Sequence, residues 1–302
     1  MNKTPNFIIA GGVATGTSFL SAALANHPNI YLPKIQRPEP NFFHYSWKFN
    51  NGIDWYLSTW FHEVGNQRAI GERSSLLLPS DFAAKRLKTS FPNIKLIFCL
   101  RNPIERTWGN YRFSVLEGLE DLPFEEALDK EAERMSLAEG KWAEVQPHAY
   151  TTRSKYSKHL KEYFDLFGRE NILLIKSEAM GKNPHGHIAK VCEFLDVELI
   201  PDLPLPPNYS SPSVVHRTLQ PSFRGHFGER FPEVIEAIRK EEEIAKIIKS
   251  DVDREMLNKL RANLCGGKDP LPAESRARLQ RIFAEEISEL QKMVEFSVDD
   301  WK

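Results

Sequence analysis

Phe7-Ile8-Ile9-Ala10-Gly11-Gly12-Val13-Ala14-Thr15-Gly16-Thr17-Ser18-Phe19-Leu20 is the stretch that decides the fold. Four apolar residues run into paired glycines, and Phe19, Leu20, Ala23 and Leu24 then recur at helical spacing. The pattern predicts a buried strand, a glycine turn and a helix. Glycines let the backbone approach a ligand closely and take positive φ. The helix that follows offers unpaired N–H groups and the positive end of its dipole. Ala14, Thr15, Gly16, Thr17 and Ser18 therefore form an anion site in principle, with a plain strand–helix turn capped by hydroxyls as the alternative. A nucleoside triphosphatase P-loop needs Lys before its Ser/Thr, whereas Gly16 is followed directly by Thr17. G-x-G-x-x-G cannot be laid on these glycines, so a dinucleotide-binding turn fits poorly.

Outward from the turn, the pattern repeats. IKLIFCL (94–100) is a second apolar run, followed by Arg101-Asn102-Pro103 and by Trp108, Tyr111 and Val115 at helical spacing. ILLI (172–175) is a third, preceded by an amphipathic helix through Tyr156, Leu160, Tyr163 and Phe167. Apolar runs alternating with helices predict an α/β fold with a central, mainly parallel sheet flanked by helices. The strands at 7–10 and 94–100 should lie close together. Gly16 and Arg101 should then stand within roughly 15 Å, about four extended residues. Pro201–Pro212 holds five prolines and reads as an ordered connector. Beyond it, 232–250 and 273–294 read as helices, with Glu241-Glu242-Glu243 on a solvated face. The expectation is one domain over 1–302, of which 221–302 is a mainly helical C-terminal extension.

The composition is globular: 302 residues, 41% hydrophobic and 27% charged. Lys+Arg is 40 and Asp+Glu 41, for a net charge of −1, which argues against a nucleic-acid partner and leaves anion binding to a local site. Cys99, Cys192 and Cys265 lie far apart, and no run approaches the ~20 apolar residues of a membrane span. A soluble, cytoplasmic protein without membrane partners is expected. His185-x-His187 lacks a nearby third ligand, so no metal is expected there.

FIIAGGVATGTSFL (7–20), HPNIYLP (27–33), EPNFFHY (39–45), NGIDWYLSTWF (51–61), GERSSLLL (71–78) and LIFCLRNPIERTWGNYRF (96–113), in that order, resemble the sulfotransferase superfamily that uses 3′-phosphoadenosine 5′-phosphosulfate (PAPS). The likeness is greatest to the branch of bacterial sulfotransferases and heparan sulfate-modifying domains. SKYSKHLKEYFDLFGRENILLIKSEAM (154–180), NYSSPSVVHRTLQ (208–220) and the C-terminal helix before Trp301 agree, so the resemblance covers roughly Phe7 to Trp301. It implies a P-loop kinase-like core. It implies transfer of a sulfuryl group from PAPS to a hydroxyl or amine of a small-molecule or carbohydrate acceptor, leaving 3′-phosphoadenosine 5′-phosphate (PAP), with no metal.

The resemblance also implies roles. Ala14, Thr15, Gly16, Thr17 and Ser18 correspond to the segment holding the 5′-phosphosulfate, and Arg101 to the contact of the 3′-phosphate. Glu39 corresponds to the general base on the acceptor, with Phe42 and Phe43 beside it. Arg73 corresponds to a basic residue near acceptor and sulfate, and Thr15 joins Glu39 and Arg73 as the catalytic set. His216 and Arg217 fall in the late loop over the nucleotide. Arg106 and Arg112 are weaker candidates, at least as readily placed on a solvated helix face. Two positions depart from the pattern. Ala14 stands where the family carries a basic residue, and Gly109 where it carries a Ser on the 3′-phosphate. Either another cation fills in, with Lys34 and Arg37 on the next loop as candidates, or activity is weak or absent. The alternative is a PAP- or PAPS-binding pseudo-enzyme that kept the fold and lost the chemistry.

Overall fold

β1 (Phe7–Ile9) lies at the centre of a five-stranded sheet in which every pairing is parallel. The computed structural model describes residues 4–34, 38–207, 212–240, 248–265 and 269–301. After β1 come α1 (Thr17–Leu24), β2 (Ile30–Tyr31), α2 (Ser46–Phe49), α3 (Gly52–Trp60) and β3 (Ala69–Arg73). Next are α4 (Ala83–Ser90), β4 (Lys95–Leu100), α5 (Pro103–Leu116) and, after further helices, β5 (Ile172–Lys176). The strand order is β2-β3-β1-β4-β5. Phe7 stands opposite Gly71 of β3 and Lys95 of β4, so the strands expected to be neighbours are hydrogen-bonded partners.

The wholly apolar β1 follows from its position, because a central parallel strand is covered on both faces. Phe7, Ile9, Ile97 and Cys99 pack with Leu20 and Leu24 of α1 and with Ile188 and Val191 of the helix Pro184–Leu195. Phe98 points to the other face and meets Tyr163 of the helix Tyr156–Phe167, with ring centroids 4.9 Å apart. Helices thus cover both faces, as the P-loop kinase-like expectation requires. A parallel sheet presents its ligand loops beyond the carboxyl ends of its strands. Here those ends lead into Gly11, the loop after Tyr31, Ser74, Arg101 and Ser177.

Contacts divide the chain into two compact units: Met1–Arg106 with Arg153–Pro207 and Gln280–Lys302, and Thr107–Thr152 with Asn208–Leu279. One boundary falls inside the proline-rich stretch. The sheet belongs to the first unit. The second is mainly helical, with helices Gln220–Phe227, Phe231–Lys240 and Asp251–Ala262 around Phe223, Phe231, Val234 and Leu260. Its only strands among the described residues, Ser213–Val214 and Leu264–Cys265, pair antiparallel. The single helix expected over 232–250 is described as far as Lys240, and Glu241–Glu243 lie outside the described residues. Asp251–Ala262 is a helix that the sequence pattern did not yield, because its Leu257 and Leu260 face inward among seven charged or amide residues.

Candidate active site

The turn after β1 is shaped by close packing. A Cβ on Gly11 would lie 2.5 Å from the backbone nitrogen of Cys99, so only glycine lets the chain pass this close to β4. Gly16 takes φ 88° as the N-cap of α1, and Ala14 also lies in the left-handed region at φ 64°. No side chain caps the first N–H groups of α1, which leaves the positive end of the helix to a ligand. Thr15 is buried, and its hydroxyl donates to the Gly12 carbonyl at 2.6 Å, closing the turn from within. Thr17 is buried and Ser18 exposed.

Three consecutive carbonyls of this turn are taken by side chains. Arg106 Nε donates to Val13 at 3.2 Å, Arg101 Nη1 to Ala14 at 3.0 Å, and Ser177 Oγ to Thr15 at 2.7 Å. Arg101 and the turn therefore touch, well inside the expected separation. Tyr156 holds the Arg101 carbonyl at 3.0 Å, and burial pushes this phenol well above its ordinary range. Arg106 corrects the solvated-face expectation. It is wholly buried, and its Nη1 also donates to Ser154 Oγ at 2.9 Å. A short helical segment carrying Trp108 and Tyr111 on its apolar side gave no sign that Arg106 turns inward.

The segment after β2 brings Glu39 to the same end of the sheet. Its side chain is 14% exposed and is ion-paired to Arg73 Nη1 through Oε1. The other oxygen, Oε2, accepts from the Ser75 N–H and hydroxyl, both at 2.7 Å, and from Asn41 Nδ2 at 3.4 Å. The same Arg73 nitrogen donates to Ser18 Oγ at 3.1 Å. Arg73 thus connects the carboxylate with the glycine turn. Phe42 and Phe43 are fully buried beneath this segment, with Phe42 stacked on Tyr56 at 4.6 Å.

Beside the pair lies a second carboxyl, Glu72, completely buried and bonded to the Ser74 hydroxyl at 2.8 Å and the Tyr56 hydroxyl at 3.3 Å. Burial pushes its pKa up to about 8, the Glu39 charge adds to the rise, and the Ser74 and Tyr56 hydrogen bonds oppose it. Lys48 shows the converse: burial pulls its ammonium down to about 8, against the attraction of Glu72 and Glu39. Neither residue was singled out from sequence. Glu72 was visible inside GERSS, but nothing local marks it as buried.

Of the expected compensating cations, Lys34 is 82% exposed and paired with Glu63 at 3.1 Å, and Arg37 lies outside the described residues. Gly109, His216 and Arg217 belong to the second unit. There Arg217 Nε donates to the Asp121 carbonyl at 2.9 Å, and Asn263 fixes the His216 backbone through both ends of its amide, at 2.8 and 3.0 Å. Arg112 donates to Ser213 Oγ at 2.8 Å in that unit. Among the described residues no group of three or more His, Cys, Asp or Glu is placed to hold a metal ion. Among them, too, no helix is long and apolar enough to cross a membrane.

A model of the sulfotransferase domain matches residues 4–291, nearly the whole chain and parts of both units. The chain belongs to the sulfotransferase domain family. A membrane-associated sulfotransferase, kil1, of Dictyostelium discoideum is 34% identical over 113 residues, which is 37% of this chain and 23% of that protein. Human heparan sulfate glucosamine 3-O-sulfotransferase 3B1 is 26% identical over 198 residues, 66% of this chain and 47% of that one. The chain thus covers about a quarter to a half of these curated relatives. The crystal structure of a sulfotransferase from Alicyclobacillus acidocaldarius superposes with a TM-score of 0.68 at 23% identity, covering 99% of this chain and 98% of that one. The shared fold of this sulfotransferase domain therefore includes the parallel sheet whose carboxyl ends carry Glu39, Arg73 and Arg101.

Proposed function

We propose that this sulfotransferase domain transfers a sulfuryl group from PAPS to a hydroxyl or amine of a carbohydrate or small-molecule acceptor. The observation that carries the proposal is the single guanidinium of Arg73, bonded at once to Glu39 and to Ser18 on the turn. PAPS supplies the sulfuryl group, already activated by its bond to a phosphate oxygen. The residues Ala14 to Ser18 would hold the 5′-phosphosulfate with backbone N–H groups and the Ser18 hydroxyl at the positive end of α1. Arg101 would keep one nitrogen on the Ala14 carbonyl and turn its remaining donors to the 3′-phosphate.

Glu39 would accept the acceptor's proton as the new bond to sulfur forms. The electron pair of the breaking S–O bond would go to the 5′-phosphate, giving PAP and the sulfated product. Ser75, Asn41 and Arg73 fix the carboxylate, so its orientation precedes the acceptor's arrival. Arg73 is also our candidate for the charge that Ala14 does not supply. It donates to Ser18 Oγ on the segment proposed for the 5′-phosphosulfate, where it would meet the negative charge that develops on the leaving phosphate. Two relatives named for heparan sulfate glucosamine support a sugar hydroxyl as one acceptor class. Three unpaired cysteines are compatible with a cytoplasmic setting.

The second reading, a nucleotide-binding pseudo-enzyme, is favoured by Ala14 and Gly109 standing where the resemblance implies a cation and a hydroxyl. Incubation with 35S-labelled PAPS and an acceptor pool of phenols, oligosaccharides and cell extract separates the two. Acceptor-dependent release of PAP with label in a product is the expected result. Tight PAP binding without any transfer would establish the pseudo-enzyme instead.

A further inference from the structure

We infer that Lys48 is a positioning residue that holds the Glu39 segment in place, an assignment that rests on Glu39 acting as the base. Lys48 lies on α2, nine residues beyond Glu39. Its ammonium donates to the carbonyls of Glu39 at 3.0 Å and Pro40 at 2.6 Å. It also lies 5.4 Å from the Tyr45 ring centroid. A lysine withdrawn from water in this way is disfavoured unless its charge is met, and here two carbonyl dipoles and the nearby Glu39 and Glu72 carboxyls meet it.

The other end of the segment is held in the same manner. Arg86 Nη1 donates to the carbonyls of Phe43 at 3.1 Å and His44 at 3.2 Å, and Nη2 donates to Ser46 Oγ at 2.8 Å. The guanidinium covers the Phe49 ring at 4.7 Å. Two cations thus grip the backbone on either side of Asn41, whose own side chain reaches Glu39 and the Leu76 N–H. Arg86 grips residues beyond the carboxylate. Lys48 grips the peptide that bears it, so loss of the Lys48 charge frees the Glu39 backbone while the remainder stays anchored. Displacing a catalytic group by about 1 Å can lower turnover about 10²-fold without touching ligand contacts elsewhere.

The test compares wild type, Lys48→Met, Lys48→Arg and Glu39→Gln. Each is assayed for 35S transfer from PAPS into the acceptor pool, PAP affinity by calorimetry, and hydrogen exchange of the 39–46 amides. Lys48→Met should lower kcat by about 10- to 100-fold and speed exchange at Glu39 and Asn41, while the amides of 43–46, anchored by Arg86, change little. PAP affinity and the PAPS KM should stay within about twofold, because no assigned nucleotide contact is removed. Lys48→Arg, which keeps the charge and the donors, should restore most of kcat and slow exchange again. Unchanged kcat and exchange in Lys48→Met would overturn the assignment, and so would a loss of kcat that tracks an equal loss of PAP affinity. If Glu39→Gln keeps full turnover, the base reading fails by itself. If wild type transfers no label, the exchange measurement alone decides: faster exchange in Lys48→Met, reversed by Arg, sustains the anchoring, and unchanged exchange ends it.

Discussion

The glycine turn and the Glu39 segment follow β1 and β2, the two strands that flank β3, and are built by one device put to opposite uses. Each is an irregular stretch whose carbonyls are held by cations, Arg101 and Arg106 for the turn, Lys48 and Arg86 for the Glu39 segment. In the turn, this leaves backbone donors at the head of α1 and no acidic side chain. In the Glu39 segment, it leaves a carboxylate. A donor site and an acceptor site therefore stand side by side, and Arg73 spans them. On this difference rests our proposal that the turn takes the nucleotide end of the reaction and Glu39 the proton-accepting end.

If that division holds, Glu39→Gln produces the largest effect. The amide keeps the shape and loses the capacity to take a proton, so turnover should fall by about 10²–10⁴, the usual span of general base catalysis. PAP affinity measured on the same preparation should be unchanged; a parallel loss of affinity would erase the division between the two regions. Arg73→Ala removes the link itself and should lower turnover by about 10²–10³, the scale of one preorganised charge donor. Steady-state kinetics showing a change confined to KM would reduce Arg73 to a substrate contact.

Arg101→Ala acts on the turn side alone. It should weaken PAP by about 1.5–3 kcal/mol in calorimetry and narrow its advantage over ADP, because a charge-assisted bond to the 3′-phosphate is removed. Equal losses for both nucleotides would mean that Arg101 supports the turn and does not read the 3′-phosphate. The smallest effect is on stability. Glu72 holds its proton more tightly in the folded chain than in the unfolded one, so its contribution is complete below about 4.5 and lost as pH rises toward about 8. Lys48, pulled down from 10.5 to about 8, recovers its deficit only at higher pH and does not offset the loss within that window. The Tm should therefore decline by several degrees between pH 5 and 8. Glu72→Gln should flatten this decline in a calorimetric pH series, and an equally steep decline in the variant would exclude Glu72 as its source.

Much of the sheet end was legible in the sequence because strand, glycine turn and helix follow one another within fourteen residues, from Phe7 to Leu20. Arg101 and Glu39 were legible through the order of motifs around them. What could not be read were groups whose partners are distant in sequence. Arg106 meets Val13 across 93 positions and Ser154 across 48, and no periodicity encodes that. Glu72 alternates along β3 like any strand residue, and only the fold shows that it is enclosed by Tyr56 and Ser74. Lys48 follows an aromatic-rich run in which a lysine would ordinarily be solvated. For the cation absent at Ala14 the sequence points to the adjoining loop, to Lys34 or Arg37. Lys34 turns outward to Glu63, Arg37 lies outside the described residues, and the guanidinium bonded to the turn's Ser18 comes from Arg73 on β3.

Hydrogen exchange with and without saturating PAP tests the division of the two regions most directly. The first amides of α1 have no capping side chain, so those of Gly16, Thr17 and Ser18 exchange readily until an anion occupies them. PAP is predicted to slow exchange in a peptide spanning 13–19 and to leave the 39–46 peptide unchanged. Slowing at 39–46 with none at 13–19 would contradict the assignment of the nucleotide to the glycine turn.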